Sequence, residues 1–390
     1  MTRVYLDWNA TAPLRPEARA AVAAAFELVG NPSSVHAEGR AARRVVEEAR
    51  REVAALVGAE PRNVVFTSGG TEANMLALSP ATGAGPGGAP CGRLMVSAIE
   101  HPSVLAGGRF PPSAVERVPA TPIGVIDLVA LERRLAALAG EGSGRPLVSL
   151  MLAGNESGTL QPVSQAARLT HEAGGLLHVD AVQAVGRIPC DINALGADLL
   201  TLSGHKTGAP KGVGALIKRD EALALDALVK GGGQERGARA GTENVAAIAG
   251  FGAAAVAARA GLEHERAHMD ALRRTLEAGL RAISADVIIF GTETERLANT
   301  TLFTVPGMKA ETAVIAFDLD GVAVSSGAAC SSGKVTPSHV LAAMGVPPAL
   351  ARGAVRVSLG PTTAESDINR FLDAWRKLFQ SLTNRRDIAA

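Results

Sequence analysis

Two neighbouring apolar runs that end in polar residues constrain the fold of this chain most strongly. The first is Leu-Leu-His-Val-Asp-Ala-Val-Gln over residues 176–183, and the second is Asp-Leu-Leu-Thr-Leu-Ser-Gly-His-Lys over residues 198–206. Short apolar runs of this kind are typical of parallel strands that are buried on both faces. Ligands of open α/β sheets bind beyond the carboxyl ends of such strands, so the polar residues there are candidates for a binding site.

The polar ends of these two runs offer a carboxylate and an amine. Asp180 and Gln183 end the first run, and Ser203, His205 and Lys206 end the second. A carboxylate and a lysine in one apolar setting fit pyridoxal phosphate (PLP), because the lysine can form a Schiff base and the carboxylate can pair with the pyridinium nitrogen. The alternative is a buried Asp–Lys ion pair, which is costly and seldom favoured for stability alone.

Strand and helix patterns alternate over the first two thirds of the chain and predict an α/β fold. This rhythm indicates a mostly parallel sheet with helices on both faces. The predicted helices are a segment from Pro16 to before Gly30 and residues 36–57, 71–78, 127–139, 163–173 and 242–258; the predicted strands are residues 63–67, 93–98, 147–152, 176–180, 198–202 and 213–217.

The pattern changes after about residue 259 and predicts a smaller α+β unit. We expect a large domain over residues 13–259 and a small domain formed by residues 1–12 and 260–390. The elements predicted for the small domain are helices at 262–283, 310–318 and 364–381 and strands at 287–290, 299–304, 322–324 and 354–359.

Composition and charge exclude several classes of protein. The 39 basic and 38 acidic residues leave a net charge of +1, so no field for nucleic acid or an anionic membrane is expected. The charge-free helical stretch 244–258 is too short to span a bilayer, and the N-terminus lacks the apolar core of a signal peptide. Three cysteines without metal-like spacing argue for a reducing compartment. We therefore expect a cytoplasmic protein with no nucleic-acid or membrane partner.

The segment Phe-Thr-Ser-Gly-Gly-Thr-Glu-Ala-Asn (66–74) combines a strand end, a glycine turn and a helix start. Exposed N–H groups and the helix dipole make such a turn a natural phosphate cradle. Thr71 would supply a hydroxyl and Gly70 a close backbone approach, with Ser203 and His205 as further ligands. Taken alone, the same pattern is often an ordinary turn.

Two more strand ends carry polar side chains of a suitable kind. His101 follows the strand predicted at 93–98 and could stack on a flat ring or relay protons, although a lone histidine there is more often a structural cap. Asn155, and Gln183 with it, could hydrogen-bond a phenolic oxygen of the cofactor or the substrate. Five successive strand ends with polar groups predict one site at one edge of the sheet.

Cys330 differs from the other two cysteines in its surroundings. It lies in Ser-Ser-Gly-Ala-Ala-Cys-Ser-Ser-Gly-Lys (325–334), a segment too rich in glycine and serine for a packed core. A cysteine in such a loop suits a nucleophile, and the alternative is a bystander thiol. Cys91 and Cys190 read as ordinary small residues.

Arg356 and Thr242 are further candidates outside the strand ends. Arg356 interrupts an apolar strand and needs a partner, which could be a substrate carboxylate bound by both guanidinium nitrogens or a structural salt bridge. Thr242 lies in the glycine-rich segment 231–244, which precedes a helix. It is placed as a helix N-cap, and the loop could lie near the phosphate of this site or of a neighbouring subunit.

Motifs along nearly the whole chain resemble the cysteine desulfurases of the NifS/IscS type, which are PLP enzymes of the class V aminotransferase group with fold type I. The motifs occur in family order. They are Tyr-Leu-Asp-Trp-Asn-Ala-Thr (5–11), Asn-Pro-Ser-Ser-Val-His (31–36), Thr-Ser-Gly-Gly-Thr-Glu (67–72), Glu-His-Pro (100–102), Asn-Glu (155–156), His-Val-Asp-Ala-Val-Gln (178–183), Ser-Gly-His-Lys (203–206), Arg-Ala-Gly-Thr (239–242), Ser-Gly-Ala-Ala-Cys (326–330) and Arg-Val-Ser-Leu-Gly (356–360).

The resemblance implies a role for each candidate in the cofactor and substrate site. Lys206 would hold PLP and move protons, Asp180 would keep the pyridine nitrogen protonated, and His101 would stack on the ring. Arg356 would bind the carboxylate of the substrate. The remaining cofactor ligands that the resemblance implies are Asn155 and Gln183 at the phenolic oxygen, and Gly70, Thr71, Ser203, His205 and, from the other subunit of a homodimer, Thr242 at the phosphate.

The resemblance also implies a sulfur-transfer step at Cys330. Cys330 would take the sulfur of L-cysteine, release L-alanine and carry a persulfide to an iron–sulfur scaffold or another acceptor protein. In relatives this cysteine can share a transient [2Fe–2S] cluster with the scaffold. The alternative activities are those of a selenocysteine lyase or another class V aminotransferase. Trp8 and Ala12 depart from the family pattern at the rim of the site.

Overall fold

A computed structural model describes residues 3–84, 89–142, 144–327 and 338–389, so Cys330 lies outside the described residues. The helices are α1 Pro16–Phe26, α2 Ala37–Leu56, α3 Gly70–Ala77, α4 Pro102–Leu105, α5 Leu128–Glu141, α6 Val163–Glu172, α7 Ile192–Leu195, α8 Val245–Ile283, α9 Ala310–Leu319, α10 His339–Ala343, α11 Pro348–Ala351 and α12 Glu365–Ala389. The strands are β1 Val4–Tyr5, β2 Val64–Thr67, β3 Cys91–Ser97, β4 Val115–Val118, β5 Arg145–Met151, β6 Leu176–Asp180, β7 Leu199–Ser203, β8 Gly214–Lys218, β9 Ile288–Ile289, β10 Thr300–Thr304, β11 Val322–Ala323, β12 Ser325–Ser326 and β13 Val355–Ser358.

A seven-stranded sheet with the order β2-β8-β7-β6-β5-β3-β4 forms the centre of the fold. Only β8 runs against its two neighbours, β2 and β7, and the other adjacent pairs are parallel. The mostly parallel α/β sheet predicted from the sequence is therefore confirmed. The edge strand β4 was not predicted, because it has four residues and carries Glu116 and Arg117 at its centre.

The strand directions bring five chain segments to one edge of this sheet. β3, β5, β6 and β7 are parallel, and β2 shares their direction because both β2 and β7 pair antiparallel with β8. The carboxyl ends of all five strands therefore lie along the same edge. β6 and β7 are buried over their full length, as their apolar sequences predict.

The helices α2 and α8 cover this sheet and pack closely on each other. Their buried side chains share one hydrophobic core with those of β2, β5, β6, β7 and β8. A Cβ atom on Gly252 of α8 would come within 2.6 Å of the Cα atom of Ala49 in α2. The small residue therefore sets how closely the two helices approach.

The prediction of two separate helices at 242–258 and 262–283 is wrong. A single helix of 39 residues, α8, continues without a break from Val245 to Ile283, and its N-cap is Asn244 rather than the predicted Thr242. One glycine, Gly261, costs about 1 kcal/mol within a helix, and the alanine, leucine, glutamate and arginine residues around it favour continuation. The domain boundary predicted at residues 259 and 260 falls within this helix, and the division into two domains stays a prediction.

Among the described residues, α8 is the helix that is long and apolar enough to cross a membrane by length and composition. Of its most apolar window, 56% is buried inside the protein. Phe251, Ala254 and Ala255 contribute to the core beneath α2. The apolar character of α8 is thus accounted for by packing.

A second, four-stranded antiparallel sheet has the order β12-β13-β10-β9. Its core includes Phe303, Phe317, Phe371 and Trp375, and Phe317 stacks on Phe371 with ring centroids 4.9 Å apart. β1 pairs in parallel with β11, and Asp7 forms an isolated parallel bridge with Ser358. β1 and β11 thus form a separate two-stranded sheet, and Asp7 links the N-terminal segment to β13 of the second sheet.

Candidate functional site

A cavity of about 660 Å³ lies at the carboxyl edge of the large sheet. Ten of the residues predicted from the sequence line it, and they come from both parts of the fold. They are Gly70, Thr71, His101, Asn155, Asp180, Gln183, Ser203, His205, Lys206 and Arg356. Thr242 is not among its lining residues, and Cys330 lies outside the described residues.

Lys206 lies in a single 3-10 turn, Gly204–Lys206, directly after β7. Its Nζ atom donates hydrogen bonds to the carbonyl oxygens of Asn9 at 2.5 Å and Ala10 at 2.9 Å. The N-terminal segment thus holds the amine at the cavity wall. This contact was not predicted, because nothing in the local sequence of Asn9 or Ala10 indicates it.

Asp180 is the last residue of β6, and its carboxylate is oriented by two donors. Oδ1 accepts a hydrogen bond from the Val182 N–H at 3.0 Å, and Oδ2 accepts one from Asn74 Nδ2 at 2.9 Å. The residue is only 6% exposed. A buried carboxylate held in this way suits a protonated ring nitrogen as its further partner.

The turn between β2 and α3 has the form of a phosphate cradle. A Cβ atom on Gly70 would come within 3.0 Å of Val182 Cγ2 and 3.2 Å of Ser203 Cβ, so a side chain there would crowd the turn. The first N–H groups of α3 have no acceptor within the helix and carry its positive dipole end. Together with the hydroxyls of Thr71 and Ser203, they supply donors for an anion.

An acidic side chain, Glu72, sits in the first turn of α3 and is neutralised by the chain itself. Its Oε1 accepts from Arg239 Nε at 2.9 Å, and its Oε2 accepts from the Ser68 N–H at 2.8 Å. Burial acts to raise the pKa of Glu72, but the hydrogen bonds from Arg239 and Ser68 outweigh it and lower the pKa. Arg239 therefore removes a repulsive charge from the edge of the cradle.

Burial lowers the pKa of both His205 and His101. Burial, with the charges of Lys206 and Lys211 nearby, lowers the pKa of His205 to about 4, and its Nδ1 lies 3.2 Å from Thr11 Oγ1. His101 Nδ1 accepts a hydrogen bond from the Ser103 N–H at 3.2 Å, so the residue caps α4 and lines the cavity at once.

The amide side chains of Asn155 and Gln183 differ in how many hydrogen-bond partners they have. Asn155 Oδ1 is buried and has no hydrogen-bond partner within the described part of the chain. Gln183 donates from Nε2 to the Asn9 carbonyl oxygen at 3.0 Å and accepts at Oε1 from Arg187 Nη1 at 2.5 Å. A buried acceptor without a donor is costly, so Asn155 Oδ1 is suited to receive a hydrogen bond from a bound molecule.

Arg356 is the second residue of β13. The sequence left two partners open for it, a substrate carboxylate and a structural salt bridge. Its Nη2 forms a salt bridge with Asp7 Oδ1 at 2.9 Å, and its Nη1 donates to the Asn155 carbonyl oxygen at 2.9 Å. The side chain also lines the cavity, and its Nε has no partner among the described residues. A structural salt bridge and an available donor therefore coexist in this residue.

Thr242 lies at a smaller neighbouring pocket, together with Glu235 and Arg239, and is exposed. Glu235 and Arg236 of the same loop have the positive φ values of 47° and 55°. Glu235 is held by a buried pair of hydrogen bonds from Arg50 at 2.7 and 2.8 Å. This loop is thus fixed beside the cradle, with Thr242 facing outward.

Sequence reasoning missed several residues of the cavity. Asn74 appears within the quoted motif 66–74 and lies one helical turn after Gly70, so helical spacing could have singled it out. Ser103 follows His101 by two residues and could have been read as its partner. The further lining residues that were missed include Asn9, Thr11 and Lys211.

The residues present fit PLP. Asp180 offers a carboxylate to the pyridine nitrogen, Lys206 an amine to the aldehyde, and the turn at Gly70 a cradle to the phosphate. Asn155 Oδ1 is a buried acceptor that lacks a donor. Each polar group of the cofactor therefore has a complementary group in the cavity.

Comparisons with known proteins agree with this fit. The family described as "Aminotransferase class-V" matches residues 4–371. A cysteine desulfurase of Cereibacter sphaeroides is 43% identical over 96% of this chain and 95% of its own. The structure of a NifS-like protein from Rickettsia africae is 34% identical with a TM-score of 0.87, covering 97% of this chain and 99% of the other. The structure "SspA in complex with cysteine" is 28% identical with a TM-score of 0.75, covering 93% and 100%.

Proposed function

The chain belongs to the class V aminotransferase family and is a PLP-dependent cysteine desulfurase, and from this premise we propose that Cys330 is the residue that takes the sulfur. The Cys330 thiolate attacks the sulfur of L-cysteine, so that an S–S bond forms while the bond between sulfur and Cβ breaks. The electron pair of that bond, with a proton, stays on Cβ. L-cysteine and the Cys330 thiol thus yield L-alanine and a Cys330 persulfide, and no external oxidant or reductant is needed.

The observation that carries the proposal is the convergence of Lys206, Asp180 and Arg356 on one cavity. When bound, PLP supplies the electron sink that makes the bond between Cβ and sulfur labile. Lys206 Nζ holds the cofactor and moves the proton at Cα of the substrate, while Asp180 faces the pyridine nitrogen. Arg356 binds the substrate carboxylate, with its unpaired Nε as the available donor.

The remaining cavity residues hold the cofactor in place. With PLP bound, His101 would stack on the ring and act as acid or base at the substrate, and Asn155 and Gln183 would bind the phenolic oxygen. The residues that bind the phosphate in this proposal are Gly70, Thr71, Ser203 and His205. His205 serves as a neutral N–H donor there, because burial and the charges of Lys206 and Lys211 lower its pKa to about 4.

L-cysteine is the proposed substrate. A protein 28% identical to this chain has been solved "in complex with cysteine". Arg356 provides the hydrogen-bond donor that the carboxylate of an α-amino acid requires.

Substitution of Cys330 tests the proposal. Cys330→Ala should bind PLP as the wild type does, judged by the visible absorbance of the bound cofactor, and should lose alanine and sulfide formation from L-cysteine. Mass spectrometry of the wild type after one turnover should show about 32 Da of added mass on the peptide that contains Cys330. Cys190→Ser is the control, because Cys190 is buried away from the cavity. Undiminished alanine and sulfide formation in Cys330→Ala would refute the role of Cys330.

A homodimer is the proposed assembly, in which Thr242 of each subunit reaches the phosphate of the other. Phe26, Val29 and Val35 are 75%, 94% and 88% exposed in the single chain, and apolar surface of this extent is suited to burial against a second copy. Light scattering should give twice the mass of the chain. Val29→Glu should shift the mass toward a single chain, and an unchanged dimer mass would exclude this surface.

The proposed destination of the sulfur is an iron–sulfur scaffold or another acceptor protein in the cytoplasm. The support is the resemblance of the Cys330 segment to that of enzymes which serve such scaffolds, and a transient [2Fe–2S] cluster at Cys330 would follow from the same resemblance. Assembly of a cluster on an apo scaffold protein, driven by L-cysteine and Fe²⁺, tests it. The wild type should support assembly and Cys330→Ala should not.

A further inference from the structure

Asn74 links Asp180 to Ser103, and Ser103 in turn contacts His101. Asn74 is on α3, is 1% exposed and lines the cavity. Its Nδ2 group donates to Asp180 Oδ2 at 2.9 Å and to Ser103 Oγ at 2.9 Å. An amide nitrogen carries two N–H bonds, so these two contacts use its donor capacity completely.

The orientation of this amide is fixed by charge. If the side chain were flipped, Asn74 Oδ1 would face the Asp180 carboxylate, and two acceptors would repel each other. In the orientation found, Asn74 Oδ1 is buried without a partner among the described residues. The chain therefore retains an unsatisfied acceptor in order to direct both N–H bonds of Asn74 at Asp180 and Ser103.

The second contact of Asn74 determines which nitrogen of His101 carries the proton. Ser103 Oγ accepts from Asn74 and lies 2.8 Å from His101 Nδ1, to which it donates its hydroxyl hydrogen. The backbone N–H of Ser103 also donates to His101 Nδ1 at 3.2 Å. A nitrogen that receives these donors is an acceptor, so the neutral imidazole carries its hydrogen on Nε2.

We propose that Asn74 is a positioning residue that sets the orientation of the Asp180 carboxylate and the tautomer of His101 through one amide group. Without it, Asp180 keeps one donor among the described residues, the Val182 N–H at 3.0 Å. The Ser103 hydroxyl would lose the donor that turns its hydrogen toward His101. The inference rests on the proposed roles of Asp180 and His101 in binding PLP.

Three charged or titratable groups influence His101, and a test by pH must include them. Its pKa is lowered by burial first, raised by Asp180, and lowered by Lys206 and His339. Since Asp180 is the one group that favours a charged imidazole, a change in its orientation should alter the titration of His101 as well.

Two substitutions separate the contacts of Asn74. Asn74→Asp is isosteric and replaces the donor by an acceptor that faces Asp180, while Ser103→Ala removes only the hydroxyl link to His101. A hydrogen bond to a charged group contributes about 1.5–3 kcal/mol, so the PLP dissociation constant of Asn74→Asp should rise at least about tenfold. In Ser103→Ala it should change less than about threefold.

The tautomer is read without the cofactor, from ¹⁵N-histidine NMR of the apo protein, with His101→Gln to assign the signal. In the wild type, His101 should give the shifts of one tautomer, with hydrogen on Nε2. Ser103→Ala and Asn74→Asp should each raise the fraction of the tautomer with hydrogen on Nδ1 above that of the wild type, although the backbone N–H of residue 103 still favours an Nδ1 acceptor. Unaltered His101 shifts in both variants, or an unaltered PLP dissociation constant in Asn74→Asp, would overturn the proposal.

Asn63→Asp is the matched control. Asn63 is also a buried asparagine with an unpaired Oδ1, but it binds the Arg219 carbonyl oxygen and lies outside the cavity. It should leave the PLP dissociation constant and the His101 signal unchanged. Asp180→Ala tests the underlying role. If Asp180→Ala retains PLP as tightly as the wild type, the role of Asp180 fails; if it weakens binding while Asn74→Asp does not, only the role of Asn74 fails.

Discussion

Replacement of Glu156 by glutamine should remove a pH-dependent cost from the folded protein. Glu156 is 3% exposed, and its Oε2 accepts a hydrogen bond from Ser338 Oγ at 2.5 Å. Gly327 lies against the same oxygen, since a Cβ atom there would approach it to 3.4 Å. Burial raises the pKa of Glu156 from 4.5 to about 7, although Ser338 and Arg356 act in the opposite direction.

The sign of the effect follows from which state holds the proton. Between about pH 4.5 and 7 the folded chain keeps a proton on Glu156 that the unfolded chain has lost, so stability falls as the pH rises through this window. A difference of about 2.5 pK units corresponds to a loss of about 3.4 kcal/mol in folding stability. This loss is complete above pH 7, where Glu156 is ionised in both states. An unfolding entropy of about 2.1 cal/mol/K per residue over 390 residues converts this to about 4 °C in Tm.

Thermal unfolding of the wild type and Glu156→Gln, followed by circular dichroism between about pH 5 and 9, measures this difference. Glutamine keeps an acceptor for Ser338 and cannot ionise. The variant should gain about 3 °C relative to the wild type as the pH rises from 5 to 8, because about 0.8 kcal/mol of the cost is already present at pH 5. Glu172→Gln is the control, because the Glu172 side chain is 60% exposed. Parallel Tm curves for the wild type and Glu156→Gln over this range would refute the reasoning.

Three further predictions follow from buried groups elsewhere in the chain. Glu235→Gln leaves the Arg50 guanidinium without its buried carboxylate and should cost about 3 kcal/mol, seen as a lower Tm; an unchanged Tm would contradict it. Arg356→Lys keeps the charge but loses the two-nitrogen geometry, so KM for L-cysteine should rise about tenfold with a smaller change in kcat, and steady-state kinetics with KM unchanged would count against it. Iodoacetamide at about pH 8 should leave Cys91 and Cys190 unmodified in the native protein, as judged by peptide mass spectrometry, because burial raises their pKa to about 11 and about 12.

The sequence was sufficient to predict the sheet edge that carries the site. Asp180, Ser203 and Lys206 end or follow apolar strands, and a parallel sheet brings such ends together whatever the details of packing. Placing these strand ends at one edge requires only that the strands are parallel. Short apolar runs separated by helices indicate such an arrangement. The cavity is therefore lined by residues that the local pattern had already marked.

Contacts between distant segments could not be predicted in the same way. Asn9 and Ala10 bind Lys206 through their carbonyl oxygens, and backbone groups leave no signature in the choice of side chain. The helix break expected near Gly261 failed for a related reason, since packing across α8 outweighs the propensity of a single residue. In each case the deciding energy comes from parts of the chain remote in sequence.

The dipeptide Asn155-Glu156 contacts both Arg356, the proposed substrate-binding residue, and Ser338, which follows the segment that contains Cys330. Asn155 accepts from Arg356 of β13 through its carbonyl oxygen, and the neighbouring Glu156 accepts from Ser338 at the start of α10. Ser338 and Gly327 are the described residues on either side of the segment 328–337 that contains Cys330. A shift of this dipeptide would therefore move the proposed carboxylate donor and both ends of that segment together. Because Glu156 changes its charge near neutral pH, its ionisation bears on both halves of the reaction, and substitutions at residue 156 should alter substrate binding and sulfur transfer jointly.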